Sequence, residues 1–348
     1  MFSRMVPSFH EARSTLNSMS FDRSTTPPAR SPLAWLGLLS AMILAGMAIP
    51  GQGRVNAALS AETGDPYLAA LLSFSIGFVV MCAIAFLTPG GRRTMARVRP
   101  AMRSGAVKWW YLLAGCVGGY FVLTQTLTIG MIGVAVFTVA VVTGQTVGGL
   151  VWDRVGLGPT GRRRISPMRF LGAILTVIAV AWAVSPQLSG TDRELVWLLL
   201  VILPFSGGFL NAGQQAVNGR QSAAYRSPIP ATFFNFGAGS VLLLLVWSGK
   251  LLFAGGAPGS LPTAWWYYIG GPLGIVFIAV GALLVTQVGV LVAAMGMIAG
   301  QLLGSLLLDV VVPAPGSVVT TATVLGTLMT LVAVVVASLP DLMRGRGR

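Results

Sequence analysis

The stretches GQTVGGLVWD, residues 144–153, and GQLLGSLLLD, residues 300–309, each set a Gly-Gln pair ahead of an aspartate at the same spacing. Both lie in otherwise apolar sequence, in a chain of 348 residues that is 55% hydrophobic and 9% charged, with a mean hydropathy of +0.80. So little charge does not cover the surface of a soluble domain. Apolar runs of roughly 20 residues recur along the chain, each long enough to cross a hydrocarbon core about 30 Å thick. They are too long and too weakly alternating for the roughly ten-residue strands of a membrane barrel. The expected fold class is therefore an all-α polytopic membrane protein.

Ten helices are expected, near 33–55, 66–88, 108–129, 132–152, 168–186, 196–217, 229–249, 264–285, 288–309 and 317–339. With ten spans, 20 of the 23 Lys and Arg fall on one side, leaving Arg54, Arg193 and Lys250 on the other. The positive-inside rule then places both termini in the cytoplasm. Residues 1–31, rich in Ser, Thr, Pro and Arg, read as a disordered cytoplasmic tail. That polar lead does not resemble a signal peptide. Residues 341–348 form a basic cytoplasmic tail, and 32–187 and 188–340 are two five-helix repeats.

The repeats are visible residue by residue. Trp35, Gly51-Gln52-x-x-Val55-Asn56, Pro66 and Phe74-x-x-Gly77 return 162 residues later as Trp197, Gly213-Gln214-x-x-Val217-Asn218, Pro228 and Phe236-x-x-Gly239. The offset then shortens to 156, pairing Trp109-Trp110, Gly115, Gly118, Gly144-Gln145, Gly148 and Asp153 with Trp265-Trp266, Gly271, Gly274, Gly300-Gln301, Gly304 and Asp309. An ordered series that includes Gln, Asn, Asp and paired Trp is a duplication. Five helices per repeat is an odd number, so the second half is inverted relative to the first. The charges agree, because loops rich in Arg in the first half have nearly uncharged counterparts in the second. Inverted repeats suit secondary transporters, whose two halves exchange conformations around a central site.

Gly-Gln-x-x-Val-Asn ending the first helix, Phe-x-x-Gly in the second, Trp-Trp opening the third and Gly-Gln…Asp in the fourth resemble the YdcZ-type family of the drug/metabolite transporter superfamily. The resemblance covers about residues 33–340, as two repeats in tandem. It implies a multi-pass protein of the bacterial cytoplasmic membrane that exports a small molecule, and it leaves the substrate open.

At about 1.5 Å per residue, Gln145 and Gln301 lie near the membrane midplane, with Asp153 and Asp309 near opposite mouths. A buried carboxamide needs partners in lipid. Gln145 and Gln301 either bond across helices or line a substrate cavity, with Gly144, Gly148, Gly300 and Gly304 packing a neighbouring helix. Gln52 and Asn56, like Gln214 and Asn218, are spaced i, i+4 on one helix face, which suits an end-of-helix hydrogen-bonding role or the lining of a vestibule. Asp153 and Asp309 sit at helix C-termini, where the macrodipole disfavours a carboxylate. They serve as caps to the turns that follow, or they pair as gates, Asp309 with Arg54 and Asp153 with Arg220. Protonation of such a gate would couple opening to a proton gradient.

No ionisable residue falls at the middle of any span, which disfavours a permanent cation as substrate and favours a neutral, zwitterionic or weakly polar solute. The only histidine is His10, and Cys82 and Cys116 belong to no metal-type cluster, so neither a metal nor a cofactor is expected. There is no Walker loop, no His-Glu-x-x-His and no Gly-x-Ser-x-Gly, which argues against an enzyme. The net charge of +14 lies in loops and reports topology, not nucleic-acid binding. The expected partners are a small-molecule substrate and the lipid bilayer, with the chain a monomer or homodimer. The competing class is a non-transporting membrane partner or sensor on the same scaffold.

Overall fold

A computed structural model describes residues 32–158, 161–162, 165–188, 194–255, 259–288, 290–313 and 319–345, and the regular structure among them is helical. The expected disordered tail, 1–31, lies outside the described residues. The chain divides into two compact units, Met1–Leu38 and Leu39–Arg348, and both five-helix repeats fall almost wholly in the second.

The first repeat comprises α1 (Pro32–Thr63), α2 (Pro66–Leu87), α3 (115–132), α4 (134–155) and α5 (Pro167–Leu188). The second comprises α6 (Glu194–Tyr225), α7 (Ile229–Ala254), α8 (Gly270–Val288), α9 (Val290–Val311) and α10 (Thr321–Gly345). Two short helices, Pro89–Met95 and Val98–Arg103, occupy the connection between α2 and α3. The paired tryptophans open 3₁₀ turns, Trp109–Ala114 before α3 and Trp265–Tyr268 before α8.

Eight helices among the described residues are long and apolar enough to cross a membrane, and one of them is the 47-residue stretch Trp109–Val155. Its backbone breaks at Gly133, whose φ of 80° and ψ of 167° suit only glycine. Phe121 and Phe137 flank that break with ring centroids 6.0 Å apart. A straight helix would separate residues 16 apart by roughly 24 Å, so the chain folds back here. Dividing this stretch at Gly133 and adding the shorter α8 gives the ten expected spans. The matching glycine of the second half, Gly289, lies outside the described residues.

Burial places the α3–α4 hairpin at the centre. Its most apolar window is 83% buried, against 28–39% for the other membrane-length helices. A helix apolar on every side belongs in a protein interior. The other helices turn leucine, valine and phenylalanine outward, Leu245 and Phe253 among them, as a lipid-facing surface requires.

Packing repeats the sequence symmetry residue by residue. A Cβ on Gly144 would overlap the Phe205 carbonyl of α6, and one on Gly300 would overlap the Ile43 carbonyl of α1. Phe205 and Ile43 are themselves 162 residues apart. Gly148 meets the Phe209 carbonyl and Gly304 the side chain of Met47, at equivalent positions of the facing helices. The four glycines therefore let each repeat's fourth helix approach the first helix of the other repeat, which interleaves the halves. Phe74 and Phe236 meet with ring centroids 5.0 Å apart and planes tilted by 41°, each covering the other's glycine, Gly239 and Gly77. On the far side Gly172 of α5 sits on Ala333 and Ala337 of α10, while Gly326 of α10 sits on Ala179 and Ala183 of α5.

Candidate functional site

A cavity of about 370 Å³ lies between α1–α4 and α6–α9. Its polar lining is carboxamide. Gln52, Gln145, Gln214, Gln301 and Asn218 face it, together with Asn211, Gln215 and Asn235, and none of its described lining residues is ionisable. The apolar part comes from aromatic rings, Phe74, Phe121, Phe236 and Phe277, and from Met297. Such a surface offers hydrogen bonds and π-faces but no counter-charge for an ion.

On α6, Asn211, Gln214, Gln215 and Asn218 follow at i, i+3, i+4 and i+7, so a helix of 3.6 residues per turn presents them as one stripe. Gln145 Nε2 donates to Asn211 Oδ1 at 3.4 Å, Gln215 Nε2 donates to the same oxygen at 2.6 Å, and Asn211 Nδ2 donates to Gln214 Oε1 at 3.2 Å. Gln145 is thus both a cross-helix partner and a cavity residue. Gln52 and Gln301 are 4% and 3% exposed, line the cavity and make no side-chain hydrogen bond among the described residues.

Asn56 departs from the vestibule expectation. It is fully buried and its Nδ2 donates to Gln125 Oε1 of α3 at 3.0 Å, away from the cavity. On α6 the lining runs through Asn218, but on α1 it stops at Gln52. The cavity is therefore displaced toward the end of the bundle that holds Asp153.

The ion pairs expected at the two mouths are replaced by other contacts. Asp309 is 4% exposed, and its two carboxylate oxygens accept the backbone N–H groups of Val134 (2.9 Å) and Ala135 (2.7 Å). The break at Gly133 frees those amides at the N-terminus of α4, and the helix dipole favours an anion there. Arg54 donates instead to the carbonyls of Val312 (3.0 Å) and Pro313 (3.2 Å), beyond the C-terminus of α9. Asp153 pairs with Arg169 at 2.6 Å, and Arg220 donates to the carbonyls of Gly156 (2.7 Å) and Gly158 (3.1 Å) and to the Tyr111 hydroxyl (2.9 Å). Gly156 and Val312 are equivalent by the 156-residue offset. Both arginines therefore clamp the same carbonyl position, a use of cations at helix C-termini that suits the dipole. The aspartates, by contrast, are held differently in the two halves.

Sequence reasoning missed Asn211, Gln215, Asn235 and Gln125. Matching between repeats hid them, because their counterparts are Ile49, Gly53, Ser73 and Gly281. The helical spacing of Asn211 from Gln214 was the available signal. A larger groove of about 590 Å³ runs between α2 and α7, but leucine and phenylalanine dominate its walls, with the hydroxyls of Ser75 and Ser240 the polar groups among its described lining. It reads as a lipid-facing cleft.

Residues 37–182 and again 199–336 match a family described as "Putative inner membrane exporter, YdcZ". Inner membrane protein YdcZ of Escherichia coli (strain K12) is 28% identical over 152 residues, which is 42% of this chain and 93% of that protein. A relative of that length corresponds to about one of the two repeats. With both halves matched and ten helices that pack as two interleaved sets, this multi-pass inner-membrane protein belongs to the YdcZ family of inner-membrane exporters, in a tandem two-repeat form.

Proposed function

We propose that the chain is a secondary transporter that exports a small neutral, zwitterionic or weakly polar solute by alternating access, with the amide-lined cavity as its binding site. The observation that carries this reading is a charge-free cavity bounded by both repeats, to which four of its glutamines come as two symmetry-related pairs. Ligand sites of inverted-repeat transporters lie at such repeat interfaces.

The asymmetry of the two ends supports a cycle. With both termini cytoplasmic, the Asp153 end faces the cytoplasm and the cavity is displaced toward it. The opposite end is held by the Asn56–Gln125 hydrogen bond and by Asp309 on the α4 N-terminus. In the exchanged state Asp153 takes the equivalent place on the amides of Val290 and Leu291, and Asp309 leaves Val134 and Ala135. The two arginine clamps, similar at both ends, stay in place. Proton coupling enters through the Asp309 carboxylate, which holds the N-terminal amides of α4. A neutral carboxyl would keep one oxygen as an acceptor and weaken the cap.

The test is a metabolite-flux comparison between vesicles with and without the protein, repeated with the proton gradient collapsed. Export of one or more uncharged solutes, lost in a Gln145→Leu/Gln301→Leu double variant, is expected. Absence of any protein-dependent flux across a broad solute panel overturns transport. Flux that ignores the gradient overturns the coupling alone.

A further inference from the structure

Two amides at the Asp153 end of the cavity have nothing to bond. Asn235, on α7, is 6% exposed, and its Oδ1 is buried without a hydrogen-bond partner. Asn218, on α6, has a buried and unpartnered Oδ1 as well, and both residues line the cavity. No hydrogen bond from either side-chain nitrogen exists among the described residues, so exchanging oxygen and nitrogen in either amide leaves the deficit unchanged. Carboxamides on two helices whose buried, unpartnered oxygens line one space call for a polar occupant.

The first repeat indicates what that occupant resembles. By the 162-residue offset, Asn218 and Asn235 correspond to Asn56 and Ser73, and these two lie side by side, since a Cβ on Gly270 would meet both. There Asn56 Nδ2 donates to the carboxamide oxygen of Gln125 at 3.0 Å, while Asn56 Oδ1, Ser73 Oγ and Gln125 Nε2 are themselves buried without partners. By the 156-residue offset Gln125 corresponds to Gly281, which lines the cavity and brings no side chain. The second half is thus a copy of the first from which one carboxamide has been removed, and the space it leaves opens on the substrate cavity.

We infer that Asn218 and Asn235 form a subsite for a carboxamide-like edge, an adjacent C=O and N–H as in a primary amide, urea or lactam, and that this group of the ligand takes the place that Gln125 fills in the first repeat. The phenyl faces of Phe236 and Phe277 receive the apolar remainder of the ligand. This inference rests on the transport reading, and it narrows the solute to uncharged molecules that both donate and accept.

The experiment uses the full chain in detergent with four probes of nearly equal size: benzamide, methyl benzoate, benzoate and benzylammonium. Binding is followed by calorimetry and by thermal shift. Benzamide is expected to bind saturably and the other three to bind roughly tenfold to a hundredfold more weakly, the cost of an unmet buried amide or an unpaired charge. Asn218→Ala and Asn235→Ser, the second reproducing the first repeat's serine, are expected to erase that preference while leaving unfolding temperature unchanged or raised. Gly281→Gln supplies the missing amide from the chain itself. It is expected to block benzamide and raise stability, whereas Gly281→Leu blocks without stabilising, Met297 yielding in both cases because its thioether end lies closest to a Cβ there. Equal binding of benzamide and methyl benzoate, or a preference that survives both asparagine variants, overturns the inference and leaves the two amides to ordered water. Protein-dependent flux of some other solute under that outcome leaves transport standing, whereas absence of all flux removes transport whatever the probes show.

Discussion

Gly133 carries the sharpest backbone demand in the chain, because its φ of 80° with ψ of 167° turns α3 into α4 and frees the two amides that Asp309 accepts. A side chain there is strained whatever room surrounds it. Gly133→Ala is expected to cost about 1–3 kcal/mol, read as a lower unfolding temperature in detergent. An unchanged unfolding temperature would mean that the turn relaxes without cost. Asp65 makes a second test at this scale. It caps α2 through Tyr67 and Leu68 N–H (3.0 and 3.1 Å), and its other oxygen accepts the Trp247 indole (3.1 Å) and the Lys250 ammonium (3.2 Å). Burial alone would raise its pKa, but the Leu68 amide, Lys250 and Trp247 outweigh burial and hold it below the ordinary 3.8. A depressed carboxylate contributes stability that is complete above its unfolded pKa and lost as pH falls through the folded one. Unfolding temperature is therefore expected to drop for the wild type as pH falls below about 4, and to drop less for Asp65→Asn, which lacks the titrating group. Parallel pH curves for the two proteins would remove Asp65 from the account.

At the scale of elements, the glycine seams decide how the helices cross. Gly144 and Gly300 each press on a backbone carbonyl of the facing first helix, so a larger side chain must push two helices apart. Gly300→Leu is expected to destabilise by about 1–3 kcal/mol or more, and Gly37→Leu, with open space around it, by almost nothing. Equal effects would show that the seam is loose. These seams, the ten spans and the duplication were legible in the sequence, because hydropathy marks spans and the Gly-Gln…Asp matches survive duplication. The partners of the charged residues were not. Asp309 bonds backbone amides about half a chain away, and those donors exist only because the helix breaks at Gly133, so no side-chain pairing rule points to them. Arg54 was read toward Asp309 for the same reason, since its real acceptors are the carbonyls of Val312 and Pro313. The four central glutamines were found through the repeat, whereas Asn211 and Asn235 were missed because duplication had not preserved them.

For the whole molecule, the pseudo-symmetry makes a statement about the state not seen here. If the two halves exchange conformations, the cavity must withdraw from Asn218 and extend past Gln52 to Asn56. Asn56 is fully buried behind Gln125, while Asn218 lines the cavity. Cys82 and Cys116 are free thiols, so the measurement begins from a Cys82→Ser/Cys116→Ser background. Into it go Asn218→Cys and Asn56→Cys separately, with a membrane-impermeant thiol reagent applied from one side at a time. With Asp309 in place, labelling at 218 from the Asp153 side, cytoplasmic in the proposed orientation, is expected to be faster than labelling at 56 from the opposite side. Adding Asp309→Ala removes the carboxylate that holds the α4 N-terminus, which leaves two buried N–H groups unmet and favours the opposite state. The two rates should then move in opposite directions, 56 faster from outside and 218 slower from inside. Rates that rise together would signal local loosening of the helix end in place of an exchange, and rates that do not move would show that the Asp309 cap holds no mouth closed. Only a reciprocal change links the duplicated sequence, by way of its symmetry-related packing, to a cavity that serves both sides of the membrane.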